Sequence, residues 1–398
     1  MQSPGGSYFF GGVSMAQMIY AAATLAIWDR LLQHGYPTYV VGGAVRDVLL
    51  GLPAMDIDLT TAATPQQITD LFAEHLNVGS RYGTVKVRLA GGDWVDVTTM
   101  RGDGEYLDGR RPDAVYFTTD LSTDLSRRDF TINAMALDRS GMLIDPFGGK
   151  EDLDQRILAT VGKAFARFQE DHLRILRASR FMARFQLRPD SCLLAAATTL
   201  KQSVLTLPWE RIESELTKLL LAPYTDQGFL FLDRTGVLKT CFPYVKPLHP
   251  QFSELPPDPL LRLTLSPFFP YLPSNKRMKK QGQALLAAMV SLPRATTAYA
   301  ERVWLSQYGL FLTKLALVPW LQKELTPVQQ RFAQEGVFDL QRLGLTGDDL
   351  LQMTNRPAGA WLGQVLQRLF DDVLKNPSLN TSQKLRQLAS KYVQELID

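Results

Sequence analysis

The chain has 398 residues, 45% of them hydrophobic, and a formal net charge of +3 at pH 7; that is enough apolar material for a sizeable core and roughly two to four domains. Two cysteines, Cys192 and Cys241, without C-x-x-C spacing, and only four histidines exclude a disulfide scaffold and argue against a Cys/His zinc site, so a reducing cytoplasm is the expected compartment. Charge is unevenly spread: residues 36–150 carry 11 Lys+Arg against 16 Asp+Glu, a balance of −5, and residues 151–398 carry 31 against 23, a balance of +8. An acidic front suits divalent cations and a basic back suits a polyanion.

The N-terminal stretch MQSPGGSYFFGGVSMAQMIYAAATLAIWDR has no basic n-region, and its Trp28-Asp29-Arg30 end suits neither a cleavage site nor a membrane span. Residues 1–14 read as a loose or non-native lead, with a helix expected from near Met15. TYVVGGAVRDVLLG then reads as a strand over Tyr39–Val41, a Gly42-Gly43 turn, and a helix whose first turn carries Arg46. Glycines at such a turn let backbone approach a phosphate, the helix start presents unpaired N–H groups to it, and Arg46 adds a positive charge. The DIDL segment that follows is sharper. In a strand Asp56 and Asp58 share a face while Ile57 points to the core. Two adjacent carboxylates repel, and a shared divalent cation, Mg²⁺ above all when a triphosphate is nearby, relieves them. A solvated acidic strand end is the alternative.

GGAVRDVLLGLPAMDIDLTT resembles the signature of the nucleotidyltransferase superfamily with a polymerase-beta-like head. In detail it is similar to the class II tRNA nucleotidyltransferases, which share that head with bacterial poly(A) polymerases. RYGTVKVRL (81–89) and WVDVTTMR (94–101) look like that family's next two strands, with Asp96 where a third acid commonly lies; the likeness runs from about Tyr39 to Arg188. The segment Arg101–Leu125 contains Gly102, Gly104 and Gly109 and no apolar period, which reads as a flexible loop. The resemblance implies that such a loop, with its YLDGRRPD core, is needed for a final adenosine, making Asp108, Arg110 and Arg111 mobile helpers; a plain linker is the other reading.

RRDFTINAMALD places Arg127 and Arg128 before Asp129 and Asn133. Arg128 can brace a triphosphate through its planar fork, and Asp129 or Asn133 can bond a ribose 2′-hydroxyl; Asp129 can equally cap a following helix. In EDHLRILRASRFMARFQLR, Arg174, Arg177, Arg180, Arg184 and Arg188 recur every three or four residues, as on one helix face. Such a face is often merely solvated. The resemblance implies that Asp171 and Arg174 read the edge of the incoming base, Asp with acceptors and Arg with donors, while Arg177 and Arg180 hold the nucleotide.

Beyond Arg188 the chain reads as helical, with Pro208 opening one helix and Pro223 ending it. Phe242–Pro273 is proline-rich and reads as extended surface segments. Lys276, Arg277, Lys279 and Lys280 form a basic group ahead of the helix QALLAAMVSL, suited to phosphates of a tRNA acceptor stem or T arm. The expected fold is α+β. A 1–35 lead and helix precede a catalytic nucleotidyltransferase head at 36–150, with a small mixed β-sheet and flanking helices. An all-helical neck (151–222), body (223–275) and tail (276–398) follow. The expected activity is metal-dependent, Mg²⁺-assisted addition of the 3′-terminal CCA to tRNA from CTP and ATP, with no membrane and no protein partner. An A-adding enzyme, a poly(A) polymerase and a catalytically silent RNA-binding module are the alternatives.

Overall fold

The computed structural model describes residues 9–10, 13–14, 22–54, 56–79, 82–88, 92–104, 114–272, 276–293, 297–335, 339–354 and 356–396. The chain divides into two compact units, Met1–Leu248 and His249–Asp398; the division falls inside the segment expected as a body.

In the first unit the main sheet comprises β1 (Thr38–Val41), β2 (Asp58–Thr61), β3 (His75–Gly79), β4 (Thr84–Val87) and β5 (Val95–Thr99). A short hairpin, β6 (Arg101–Asp103) with β7 (Val115–Phe117), flanks the glycine-rich segment. The sheet is completed by β8 (Ala136–Leu137) and β9 (Leu143–Ile144), giving the order β9-β8-β1-β2-β5-β4-β3. All neighbours are antiparallel except β2 and β5, which run parallel and set Asp58 beside Asp96. Alternating Val85, Val87, Val95 and Val97 are buried with Val40 and Leu59 against helix α1 (Ala22–Gln33), through Ile27, Trp28 and Leu31. The expected helix start near Met15 lies outside the described residues, and within the lead a two-residue ladder pairs Phe9–Phe10 with Val13–Ser14.

Helix α2 (Gly43–Leu49) leaves β1 through Gly42, whose φ of +73° places it in the left-handed region. A Cβ there would lie 2.7 Å from Arg128 Nη1, so the turn needs glycine both for its backbone and for the guanidinium beside it. Further on come α3 (Leu121–Ser126), α4 (Ala164–Glu170), α5 (Leu173–Phe185), α6 (Trp209–Leu220) and α7 (Thr225–Arg234). Helix α5 is buried by Ile175, Leu176, Ala178, Phe181 and Met182 and packs on α6 and α7. It stops at Phe185 because Gln186 turns left-handed (φ +57°). Arg188 therefore does not continue the arginine face of that helix: it pairs with Ile157 in a two-stranded parallel ladder.

The second unit is helical. The proline-rich stretch differs from the expected surface wrap: within it α8 (Pro259–Leu265) is capped by Asp258, and Phe252, Leu261 and Phe268 are fully buried. Its apolar residues outweigh the prolines, of which Pro259 starts the helix and Pro243, Pro250, Pro267 and Pro270 lie in turns. The basic group falls inside α9 (Lys276–Val290), not ahead of it, and Lys276, Arg277, Lys279 and Lys280 are exposed. Near the C-terminus, Leu350, Val365, Leu369 and Leu385 close a core. Among the described residues no helix is long and apolar enough to cross a membrane.

Candidate active site

The strand pairing puts the acids together. Asp58 opens β2 opposite Asp96, while Asp56 precedes the strand in a bend and is not part of its ladder. Ile57 between them packs on the sheet core. Both Asp56 and Asp58 line a cleft of about 660 Å³. Partial burial, followed by the nearby charges of Asp96 and Asp56, raises the Asp58 carboxyl above its ordinary range, with Arg128 pulling the other way. Asp96 does not line the cleft; its carboxylate meets Lys86 at 2.6 Å across the β4–β5 ladder.

Arg128 lines the same cleft and lies against Gly42. It is anchored at 3.5 Å on Asp124, a fully buried carboxylate of α3 that also takes Arg127 at 2.8 Å. Asp129 is buried and accepts from Arg177 Nη2 at 2.6 Å and Nε at 2.8 Å through Oδ2, and from Asn133 Nδ2 at 3.0 Å through Oδ1. Burial alone would raise its pKa, but Arg177 and Asn133 outweigh that and hold it well below the usual carboxylate range. Arg46 is likewise buried. It donates to Asp47 at 2.6 and 2.9 Å and to Asn133 Oδ1, and lies 4.3 Å from the Phe185 ring centroid. Its guanidinium is thus largely spent on bracing the helix start, while Gly43 lines the cleft next to it.

Asp171 and Arg174 both line the cleft, joined by the Arg174 backbone N–H donating to the Asp171 carbonyl at 3.0 Å, while their side chains bind separate partners. Asp171 accepts from Leu173 N at 3.0 Å and from Arg211 Nη2, on α6, at 2.8 Å. Arg174 donates to Glu170 at 2.5 Å and to the Arg167 carbonyl at 2.9 Å. Arg180 meets the buried Glu215 at 2.6 Å, and Arg184 meets Asp47 at 3.2 Å. The cleft lining thus carries nine Arg or Lys side chains against five aspartates, a surplus that suits a polyphosphate. Among the described residues Arg128 Nε and Arg211 Nη1 are buried without a hydrogen-bond partner, as donors free for a ligand anion are.

The donor set fits a hard divalent cation. Among the described residues no three metal-ligating side chains converge on one position, and a site of two carboxylates completed by substrate phosphate oxygens has the form such cations take in phosphoryl transfer. Asp108, Arg110 and Arg111 lie outside the described residues. Lys276, Arg277, Lys279 and Lys280 belong to the second unit and do not line the cleft. Reading the sequence alone missed Arg211 and Glu215 on α6 and Asp124 on α3. Arg211 had a signal: a cation in the first turn of a helix runs against the helix dipole and calls for an outside partner. Asp124 and Glu215 had none, because their burial is a tertiary property.

Residues 38–159 match the model of the poly A polymerase head domain, and residues 185–248 that of a probable RNA and SrmB-binding site of polymerase A. The CCA-adding enzyme of Geobacillus stearothermophilus is 33% identical over 390 residues, covering 91% of this chain and 94% of the relative. That of Oceanobacillus iheyensis is 41% identical over 243 residues, 58% of this chain and 60% of the relative. The crystal structure of the Bacillus stearothermophilus CCA-adding enzyme in complex with CTP superposes with a TM-score of 0.72 at 30% identity, over 94% of this chain and 97% of that one. A Thermotoga maritima CCA-adding enzyme complexed with tRNA shares the fold at a TM-score of 0.61 and 21% identity, over 95% of this chain and 97% of that one.

Proposed function

The chain belongs to the family of CCA-adding enzymes, and from that premise we propose that it adds the 3′-terminal CCA to tRNA in the cytoplasm. CMP from CTP and AMP from ATP pass to the tRNA 3′-hydroxyl without a nucleic-acid template, and pyrophosphate leaves. One observation carries this reading: a single cleft is lined by Asp56, Asp58, Arg128 and Asp171, the last braced by Arg211.

In this reading Asp56 and Asp58 hold Mg²⁺, which when bound neutralises the triphosphate and favours the ionised attacking hydroxyl. Asp96 stands behind Asp58 and raises its proton affinity, sharpening the pair's demand for a cation. Arg128, backed by Asp124, grips the triphosphate beside the Gly42-Gly43 turn, where Arg46 braces the helix start. Asp129 and Asn133, already tied to each other and to Arg177, present the ribose with a rigid acceptor pair. Asp171 offers only acceptors and Arg174 only donors, so fixed separately, by Arg211 and by Glu170, they form two points of a template for the edges of cytosine and adenine. Arg177 and Arg180 hold the nucleotide from below. The segment bearing Asp108, Arg110 and Arg111 assists the adenosine step, and Lys276, Arg277, Lys279 and Lys280 contact tRNA phosphates. Catalysis is then mainly placement and charge neutralisation.

The test uses tRNA lacking its 3′ end, tRNA ending in CC, and an unrelated RNA, each with labelled CTP or ATP. Stepwise C, C, A addition to the first and A to the second is expected. Incorporation of A alone, on the CC end only, makes this an A-adding enzyme; long A tails on any RNA make it a poly(A) polymerase.

A further inference from the structure

Beside the cleft lies a second cavity of about 410 Å³, lined by Leu52, Arg156, Arg184, Phe185 and Tyr224 among others. Arg184 belongs to both linings, so the two spaces share a wall. None of the groups assigned above to catalysis or nucleotide binding lines it: Asp56, Asp58, Arg128, Asp171 and Arg174 all belong to the cleft alone. Its walls are of two kinds. Tyr224 and Leu52 leave large apolar faces open, 40% and 44% exposed. Tyr224 is nevertheless fixed in place, its backbone N–H donating to the Ala183 carbonyl at 2.8 Å.

The other walls are cationic. Arg156 takes a left-handed backbone (φ +57°) and donates to the Phe185 carbonyl at 2.9 Å. No carboxylate pairs with it among the described residues. Among the described residues the one carboxylate paired with Arg184 is Asp47, which already serves Arg46. Two guanidiniums, Arg156 and Arg184, and no carboxylate therefore line a pocket with an open aromatic face. An aromatic platform with surplus positive charge is the chemistry that receives an unstacked nucleotide of a single strand.

On the reading that the cleft extends an RNA 3′ end, we propose that this cavity receives the nucleotide immediately 5′ of the terminus being extended. Its base stacks on Tyr224 and its phosphate lies against Arg156 and Arg184. The strand reaches the cavity past Arg184, and the site holds the terminus in line with Asp58 while the incoming nucleotide occupies the cleft.

The probe is an acceptor-stem RNA hairpin carrying 2-aminopurine at its penultimate position, with the full-length enzyme. Binding to the wild type should quench the fluorescence. Tyr224→Ala should abolish the quench and raise KM for the RNA about tenfold, with KM for CTP unchanged; Tyr224→Phe should keep both properties. Arg156→Gln should weaken RNA binding and reduce its salt slope by about one. Both side chains are exposed, so unaltered thermal unfolding separates these effects from misfolding. An unchanged quench and RNA KM in Tyr224→Ala overturns the proposal, as does an equal rise in KM for CTP, which would assign the cavity to the incoming nucleotide. A wild type that extends no RNA with CTP would sink the functional reading itself, whereas an extending wild type with an indifferent Tyr224→Ala sinks the cavity assignment alone.

Discussion

Replacing Asp129 by Asn keeps the side chain's shape and its acceptor for Asn133 and the Phe130 N–H, and exchanges the charged oxygen that Arg177 grips at 2.6 and 2.8 Å for an uncharged amide nitrogen that cannot accept. Breaking a buried ion pair by neutralising one partner costs about 3–5 kcal/mol. Here the Asp129 side chain is 9% exposed but that of Arg177 is 32% exposed, so water recovers part of the stranded cation and about 2–3 kcal/mol is the fitting figure. For a cooperative unit of this size that is a fall in Tm of roughly 4–12 °C. The pH dependence carries a sign. The Asp129 carboxyl is held below its unfolded value, so its contribution is fully present above the ordinary Asp pKa of about 3.9 and is lost as pH falls through the folded value. Thermal unfolding of Asp129→Asn beside the wild type should therefore show a constant Tm difference from pH 7 to about 5, narrowing below about 4. A difference under about 2 °C at pH 7, or one that widens on acidification, would refute the reasoning.

Asp58→Ala should abolish nucleotide transfer in every assay while a filter-binding measurement finds tRNA affinity within about threefold of wild type; residual extension would remove Asp58 from the metal site. Arg211→Ala frees Asp171 from its 2.8 Å partner, a charged bond worth about 1.5–3 kcal/mol, so kcat/KM for CTP and ATP should fall roughly tenfold or more with incorporation of wrong bases rising. Unchanged base choice would deny Arg211 a bracing role. Gly42→Ala puts a methyl group 2.7 Å from Arg128 Nη1 in a left-handed backbone; KM for both nucleotides should rise together, and a rise for one alone would count against the triphosphate assignment. Lys279→Gln with Lys280→Gln should weaken tRNA binding and lower its salt slope by about two, leaving KM for CTP as it was; an unaltered slope would take these lysines out of the RNA contact.

Local rules carried the sequence reading a long way. The glycine turn before a helix and the three-to-four-residue recurrence of Arg174, Arg177, Arg180 and Arg184 are adjacent or periodic features that local backbone geometry turns into structure, whereas the D-x-D pair does not share a strand face as expected, because Asp56 lies in a bend ahead of the strand that Asp58 opens. The boundaries were less legible: Gln186 ends the helix by going left-handed, and Arg188 falls off the arginine face. Likewise the proline-rich stretch buries Phe252 and Phe268, because burial depends on what packs against a residue and not on how many prolines surround it.

What only the folded chain decided is the pairing of charges. Arg177 finds Asp129, Arg180 finds Glu215, Arg184 finds Asp47 and Asp171 finds Arg211, across sequence separations of 35 to 137 residues. No period in the sequence encodes such partners. An arginine on a helix face is equally compatible with water or with any carboxylate the fold delivers, and the choice is made by what packs against α5, as α6 does in bringing Glu215 to Arg180. The sequence thus determined which residue types face the cleft; tertiary structure determined which of them are tied into scaffold and which keep hydrogen-bonding capacity for a ligand.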